Sequence, residues 1–220
     1  SIEAALLAGG PDAPRAETLA AREPRGAGAF IPGGYRKRAP EAYDKKLCLL
    51  PDDALDFIYA TQPQEWEKFK KQYREDAKEK FFQRLEQQIE SRGALDVLRS
   101  GIKANGSKFR LAYFRPASGM NPALQKQHQA NLFSVVRQLK YSDKNENSLD
   151  MVLFLNGLPL ITAELKNPLT GQNVQDAIRQ YMRTRDAREP LFAFGRVLAH
   201  FAVDPDLVFM TTHLQGVNTR

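Results

Sequence analysis

Asp150, Glu164 and Lys166 are the residues of this chain whose types and spacing best suit chemistry. Asp150 lies at the start of one apolar run and Glu164 at the end of the next, with Asn156-Gly157 between the two runs. An Asn-Gly pair between apolar runs indicates a β-hairpin, which would bring Asp150 close to Glu164 and Lys166. Because side chains alternate along a strand, Glu164 and Lys166 share one face.

A carboxylate and an ammonium on one strand face, with a second carboxylate brought near by the hairpin, suit metal-assisted cleavage of a phosphodiester. Carboxylates supply the oxygen ligands that Mg²⁺ prefers, and the ion polarises a phosphate and lowers the pKa of a bound water. A neighbouring lysine orients that water and stabilises developing negative charge. The alternative is a surface hairpin with a cross-strand ion pair. The upstream Asp150 and the apolar runs on both sides favour the metal site, since buried charges are costly unless paired or metal-bound.

The elements that must position these residues form a mixed pattern of strands and helices. We expect strands at 149–155, 158–165, 197–203 and 207–211, and helices at 131–139 and 173–185. A hairpin followed by a helix and further strands predicts an α/β fold, with a mixed β-sheet flanked by helices.

The amino-terminal hundred residues are expected to be mostly helical. Residues 2–7 suit a short helix. Apolar residues at spacings of three or four between Trp66 and Ile89, apart from one five-residue step near Phe81, predict one long amphipathic helix that ends at Gly93. Residues 11–40 are rich in Ala, Gly, Pro and Arg and suggest a mobile loop. The basic cluster in this loop, 36–38, is expected to be solvated or to contact phosphate.

Three other candidate sites are rejected. The segment 101–108 resembles a phosphate-binding P-loop, but its lysine and hydroxyl are in the wrong order and Asn105-Gly106 is better explained as a hairpin turn. Cys48 lies between leucines and suits a buried apolar position. The three histidines are too far apart in sequence for a zinc site, and His200 is expected to be a packed or hydrogen-bonded structural residue.

Composition places the chain among ordinary globular proteins. Hydrophobic residues make up 42% of the 220 residues, charged residues 26%, and the formal net charge is +6. A basic surface attracts nucleic acid or an anionic membrane, but no apolar run approaches the length of about 20 residues that a bilayer requires. The first residues lack the features of a signal peptide. With one cysteine, the chain suits the cytoplasm.

The order of motifs resembles a known family. Asp150…Glu164-x-Lys166 resembles the core motif of the PD-(D/E)xK nuclease superfamily. The wider set is similar to the amino-terminal part of the restriction (R) subunit of type I restriction-modification enzymes. These motifs lie at 56–63, 93–99, 131–138, 149–159, 163–168, 177–181 and 200–204, and the resemblance is poorest over 11–40.

The resemblance implies a restriction-endonuclease-like core and an Mg²⁺-dependent DNA endonuclease that cleaves foreign, unmodified DNA. Asp150 and Glu164 would bind the metal, with the backbone carbonyl of Leu165 between the catalytic side chains as a further ligand. Lys166 would position and activate water. In this superfamily a glutamate on the first core helix often helps to hold the metal, and Glu3 is the candidate here.

Gln180 belongs to a secondary signature of such nucleases, Gln-x-x-x-Tyr on the helix after Glu-x-Lys. Thr184 stands at the expected tyrosine position and Tyr181 is adjacent to Gln180, so the match is partial. Gln180 is therefore either a catalytic residue or an ordinary helix-surface amide. Arg179 and Arg183 share a helix face, which suits DNA contact or pairing with Asp176.

The resemblance also implies a larger assembly. We expect residues 1–220 to form one nuclease domain, with a mostly helical region at 1–100 and a catalytic α/β core at 101–220. ATP would be used by helicase-like motor domains, whose motifs this chain lacks, so the chain is expected to be a fragment. Expected partners are double-stranded DNA and the methyltransferase and specificity subunits, and no membrane. The alternatives are a non-catalytic DNA-binding or assembly module with a nuclease fold, and a stand-alone repair-type nuclease.

Overall fold

The computed structural model describes residues 2–8, 34–118, 120–167 and 171–218. The strands in these ranges are β1 (Tyr35–Arg38), β2 (Ile102–Ala104), β3 (Ser107–Phe109), β4 (Phe133–Lys140), β5 (Ser148–Leu155), β6 (Leu158–Leu165), β7 (Ala199–Val203) and β8 (Val208–Thr211). The α-helices are α1 (Ile2–Leu7), α2 (Pro51–Thr61), α3 (Pro63–Tyr73), α4 (Ala77–Arg92), α5 (Ala94–Ser100), α6 (Pro122–Gln129) and α7 (Val174–Arg179). Short 3₁₀ segments lie at Pro40–Ala42, Arg74–Asp76, Pro190–Phe192 and Gly216–Asn218, and a π-helical turn follows α7 at Gln180–Thr184.

A mixed sheet of six strands in the order β1-β4-β5-β6-β7-β8 forms the centre of the fold. The pairs β1–β4 and β6–β7 are parallel, and the other neighbours are antiparallel. β2 and β3 form a separate hairpin. The predicted α/β class, with a mixed sheet flanked by helices, is confirmed.

Both faces of the sheet are covered. Alternate side chains of β4, β5 and β6 point to opposite faces. On one face, Val136, Val152 and Phe154 belong to a cluster with Tyr181 and Leu191. The other face packs against Leu6 and Leu7 of α1, and its buried residues are Val135, Met151, Leu153 and Ala163. The strands that carry the two acidic residues therefore lie in the middle of a covered sheet.

The helices α2 to α5 form a second layer with the β2–β3 hairpin. Their shared core is rich in aromatic side chains, including Phe57, Phe69, Phe81 and Phe109. The tip of the β5–β6 hairpin contacts this layer, because the backbone amide of Leu50 donates to the carbonyl of Gly157 at 2.9 Å. This contact anchors the hairpin to the start of α2.

Most predicted turns and strands are confirmed. Asn156 and Gly157 have φ of 50° and 80°, and Asn105 and Gly106 have 46° and 81°, which are the signs that a type I′ hairpin turn requires. The two strands of the β5–β6 hairpin and the two later strands agree with prediction within a few residues, as does the short first helix. Cys48 is fully buried. No helix in the described ranges combines the length and apolarity of a bilayer-spanning segment.

The prediction of a helix at 131–139 is wrong, since β4 occupies this segment. β4 lies between β1 and β5, and its consecutive residues Ser134, Val135 and Val136 are all fully buried. A strand buried on both faces loses the apolar–polar alternation by which strands are recognised.

The prediction of a single long helix between Trp66 and Ile89 is also wrong. α3 ends at Tyr73, a 3₁₀ turn follows, and α4 begins at Ala77. Arg74, with φ of 52°, reverses the chain locally, so both helices can pack on the same core. The predicted end at Gly93 is confirmed, and its φ is 80°.

The basic triplet at 36–38 lies on β1 and not in a loop, so the expected mobile loop at 11–40 is wrong over its last part. β1 is held by parallel pairing with β4 and by an ion pair between Arg38 and Asp53 of α2, which is buried. Residues 11–33 of the expected loop lie outside the described residues.

Candidate active site

β5 and β6 separate where the two acidic residues lie. Their antiparallel pairing ends at Met151 and Ala163, one residue short of Asp150 and Glu164. Beyond this point β5 continues beside β4, and β6 continues beside β7. The two acidic residues thus face each other across an opening between two central strands, which we call the fork.

Asp150 is held by two hydrogen bonds. The backbone amide of Leu165 donates to its Oδ2 at 2.8 Å, and Gln138 Nε2 donates to its Oδ1 at 2.9 Å. Because the Leu165 amide bonds a side chain instead of β5 backbone, this bond is part of what opens the fork. Gln138 has a φ of 51°, which is uncommon for a residue with a side chain and often marks a functional position. Sequence reasoning did not identify Gln138.

Glu164 is completely buried, and its two oxygens differ in their surroundings. Arg185 Nε donates to Oε1 at 2.8 Å, and Arg185 Nη2 lies 2.7 Å from the same oxygen in an ion pair. Oε2 is also buried but has no hydrogen-bond partner among the described residues. Burial raises the pKa of Glu164 to about 7, the Arg185 guanidinium opposes this rise, and the Asp150 carboxylate adds to it. The two carboxylates are therefore close enough to repel each other.

Arg185 bridges the two strands of the fork. Its Nη2 also donates to the backbone carbonyl of Ser148 on β5 at 2.7 Å, so one guanidinium joins β5 to Glu164 on β6. The π-helical turn delivers this residue, since the Arg185 amide donates to the carbonyl of Gln180 five positions earlier. The guanidinium lies 5.9 Å from the centre of the Tyr141 ring. Sequence reasoning missed Arg185. The only sequence feature that could have indicated this residue is its position four residues after the apolar Tyr181.

A chain of buried polar groups lies behind Glu164 on the same face of β6. The hydroxyl of Thr162 is 2.8 Å from Tyr181 Oη and 2.7 Å from His200 Nδ1. Burial raises the pKa of Tyr181 well above its usual value, and the charge of Glu164 adds to the effect. Burial lowers the pKa of His200 to about 4, so the imidazole is neutral near pH 7. The prediction that His200 is packed and hydrogen-bonded is confirmed.

Lys166 follows β6 directly. Its backbone amide donates to the carbonyl of Val203 at 2.8 Å, so the extended pairing with β7 continues and alternation places its side chain on the face of Glu164. The side chain is half-buried. It lies near Asp176 of α7, whose pKa is lowered first by the Asn173 amide and Arg179, and to a smaller degree by Lys166.

The predicted helix at 173–185 is present as α7 and the π-helical turn. Gln180 begins that turn, and its carbonyl accepts from the Thr184 hydroxyl at 2.8 Å. The side-chain Oε1 of Gln180 is buried and lacks a hydrogen-bond partner within the described part of the chain. Of the two roles proposed for Arg179, pairing with Asp176 is observed.

Glu3 on α1 is connected to the site through a basic residue. Its Oε1 lies 2.7 Å from Lys37 Nζ and its Oε2 lies 3.2 Å from Arg137 Nη1. The Lys37 ammonium contributes most to lowering the pKa of Glu3. Arg137 also donates from Nε to the backbone carbonyl of Asp150 at 2.8 Å. The structure therefore brings Asp150 and Glu164 together, whereas Arg137 lies between Glu3 and the backbone of Asp150.

The acidic pair is better explained as a cation-binding site than as a closed network of ion pairs. Glu164 Oε2 is a buried carboxyl oxygen without a hydrogen-bond partner among the described residues, next to a second carboxylate, and such groups are rarely left unsatisfied. Over the described ranges, no group of three or more His, Cys, Asp or Glu side chains could hold a metal. Any ion here would be bound by two carboxylates, backbone oxygen and water, as is common for Mg²⁺.

Comparison with protein families matches residues 41–218 to the family described as type I restriction enzyme R protein N terminus. The chain belongs to this family. The PD-(D/E)xK fold is the usual nuclease fold for the R-protein N-terminal domain, and the mixed sheet with flanking helices fits it. Comparison with curated proteins and with solved structures gives no significant match.

Proposed function

We propose that this chain is the Mg²⁺-dependent DNA endonuclease domain of a type I restriction enzyme R subunit. The observation that supports it most is the fork, where Asp150 and the fully buried Glu164 meet at the point where β5 and β6 part. Membership of the R-protein N-terminal family supports the restriction role. A surface hairpin with a cross-strand ion pair does not account for a fully buried Glu164 that lies beside Asp150 and has one oxygen without a hydrogen-bond partner among the described residues.

Asp150 and Glu164 are the proposed metal-binding side chains. The amide of Leu165 points at Asp150, and the amide and carbonyl of one strand residue point to the same side, so the Leu165 carbonyl is the proposed third protein ligand. Glu3 would first have to leave its pairs with Lys37 and Arg137, and we give it no direct part. When bound, Mg²⁺ supplies polarisation of the scissile phosphate and a water of lowered pKa.

Lys166 is the proposed catalytic cation. It emerges from the same face as Glu164, at the open end of the fork, where a half-exposed ammonium can reach both a water and a phosphate oxygen. An ammonium has no lone pair for a metal, so its role is to orient water and to stabilise the charge that develops on the attacked phosphate. Gln180 is proposed to assist from the π-helical turn through its buried, unpartnered amide oxygen.

The proposed substrate is double-stranded DNA, bound through phosphate contacts by a chain of net charge +6. By analogy with the family, target choice would belong to the specificity subunit and ATP-driven translocation to motor domains. This domain would supply the cut in an assembly that also contains the methyltransferase subunit.

The test is cleavage of supercoiled plasmid by the assembled restriction enzyme, with Mg²⁺ and with EDTA. We expect cleavage only with Mg²⁺ and its loss in Asp150→Asn, while DNA binding and ATP hydrolysis persist. Full cleavage by Asp150→Asn would refute the proposal. DNA binding without any cleavage by the wild type would favour a non-catalytic module with a nuclease fold.

A further inference from the structure

Arg185 is a buried cation placed on a proposed metal ligand. Only 5% of its side chain is exposed, and Glu164, its partner, is fully buried. A buried ion pair of this kind gains little stability over well-packed apolar residues. Its presence beside the fork therefore calls for a reason other than stability.

The geometry of the pair is asymmetric. Two nitrogens of the guanidinium approach Oε1 of Glu164: Nε donates to it at 2.8 Å, and Nη2 lies 2.7 Å from it in an ion pair. Oε2 has no hydrogen-bond partner among the described residues. Nη2 also donates to the Ser148 carbonyl on β5. One planar group thus fixes the carboxylate by a single oxygen and ties it to the opposite strand, which leaves Oε2 as the oxygen available to a cation.

We propose that Arg185 is a positioning residue of the metal site. It clamps Oε1 so that Oε2 is presented to the divalent cation, and it sets the width of the fork by joining β5 to Glu164. This inference rests on the proposed function of the same site. Residues that orient a ligand in this way commonly change metal affinity about 10- to 100-fold when they are replaced.

The clamp depends on the shape of the guanidinium as well as its charge. A lysine at this position would keep a positive charge near Glu164, but a single ammonium cannot reproduce the planar arrangement that contacts Oε1 twice and the Ser148 carbonyl once. Arg185→Lys should therefore retain only part of the effect.

The test is Mn²⁺ binding to the metal-free chain, measured by electron paramagnetic resonance of free Mn²⁺ under conditions where circular dichroism shows each variant to be folded. We expect Arg185→Met to weaken Mn²⁺ binding at least about tenfold and Arg185→Lys to weaken it less. Arg188→Met is the matched control, because Arg188 is highly exposed and pairs only with the neighbouring Asp186 among the described residues. It should bind like the wild type.

The outcomes separate the two claims. If Asp150→Asn loses binding while Arg185→Met binds like the wild type, the positioning role is wrong and the metal site stands. If the wild type shows no saturable binding, or Asp150→Asn binds equally well, the metal site itself is wrong and the inference fails with it. If Arg185→Met does not fold, Arg185→Lys decides, and wild-type affinity in that variant would overturn the clamp.

Discussion

Each charged group of the fork has a specific environment that constrains what it can do. Asp150 accepts two hydrogen bonds, one from Leu165 backbone and one from Gln138. Glu164 has one oxygen clamped by Arg185 and one unpartnered among the described residues. This difference between two acids of the same type explains why a single cation site, and not a general acidic surface, is the chemistry we assign to the fork.

The buried histidine behind the fork makes stability depend on pH. Burial lowers the pKa of His200 to about 4 in the folded chain, against about 6.5 when unfolded. The unfolded state therefore binds more protons between these pH values. His200 leaves the free energy of unfolding unchanged above pH 6.5 and lowers it increasingly as the pH falls towards 4. The full decrease in the free energy of unfolding is about 3 kcal/mol.

Urea unfolding of wild type and His200→Asn between pH 4 and pH 7 measures this effect. Asparagine keeps a polar atom near Thr162 but does not titrate. The free energy of unfolding of the wild type should therefore fall by about 3 kcal/mol more than that of the variant between pH 7 and pH 4. His128→Asn on α6 is the control and should follow the wild type. Parallel curves for wild type and His200→Asn would contradict the assignment.

At the residue scale, sequence reasoning identified the acidic pair and not the groups that hold it. Asp150, Glu164 and Lys166 are recognisable because their types and spacing around a hairpin are local. Arg185 and Gln138 act through contacts with residues about 20 and 12 positions away in the chain, and these contacts exist only once strands and helix are packed. Neighbouring sequence therefore did not reveal their roles.

The hairpin is the element that sets the site, and its tip is fixed against the helical layer. Gly157 has a φ of 80°, and a Cβ added there would lie 2.4 Å from the Leu50 carbonyl oxygen and 2.8 Å from the Ala54 amide nitrogen. Both are backbone atoms, which cannot move aside as a flexible side chain does. Only glycine fits this turn and allows the β5–β6 hairpin to dock on α2.

Gly157→Ala should therefore destabilise the fold more than the same change at Gly106. The two glycines have nearly equal φ, 80° and 81°, but a methyl group added at Gly106 would meet open space. The left-handed conformation costs each alanine about 1–2 kcal/mol, and overpacking adds about 1–3 kcal/mol at Gly157 alone. Chemical unfolding of both variants measures the difference, and equal losses would show that the tip is not tightly docked.

At the element scale, predictions succeeded where a local signal was strong. Both Asn-Gly turns were correctly assigned because few residues accept the left-handed conformation. β4 was assigned as a helix because a strand buried on both faces shows no alternation. The predicted long helix is divided by a 3₁₀ turn at Arg74–Asp76, where the apolar spacing from Tyr73 to Ala77 is regular and three polar residues gave no sign of a break.

The whole molecule joins a helical layer to a central sheet, and the fork opens in the middle of that sheet. β4 and β7 pair with the outer edges of β5 and β6 and support them where they separate. Packing on both faces of the sheet adds to this support. The strands can part locally because their outer neighbours keep them in place. This arrangement suits a site that must keep charged groups fixed while DNA approaches.

Net charge predicts how the chain meets DNA. With a formal charge of +6, binding should be weak, independent of sequence and dominated by phosphate contacts. The logarithm of affinity should fall linearly with the logarithm of salt concentration, by roughly 0.9 per phosphate contact. Fluorescence anisotropy with two unrelated duplexes of equal length measures this. Preference for one duplex, or affinity that ignores salt from low to physiological ionic strength, would contradict it.

The central claim is that Asp150, Glu164 and Lys166 cleave DNA, and Lys166→Ala tests it most directly. This lysine is assigned to the chemical step, so the variant should fold, bind Mn²⁺ and bind DNA normally. Within the assembled enzyme it should hydrolyse ATP at the normal rate, because the motor is assigned to other domains. Plasmid cleavage should fall by about two to three orders of magnitude, the usual cost of losing one preorganised electrostatic group. Near-normal cleavage by Lys166→Ala, in an assembly with working ATPase, would contradict the account.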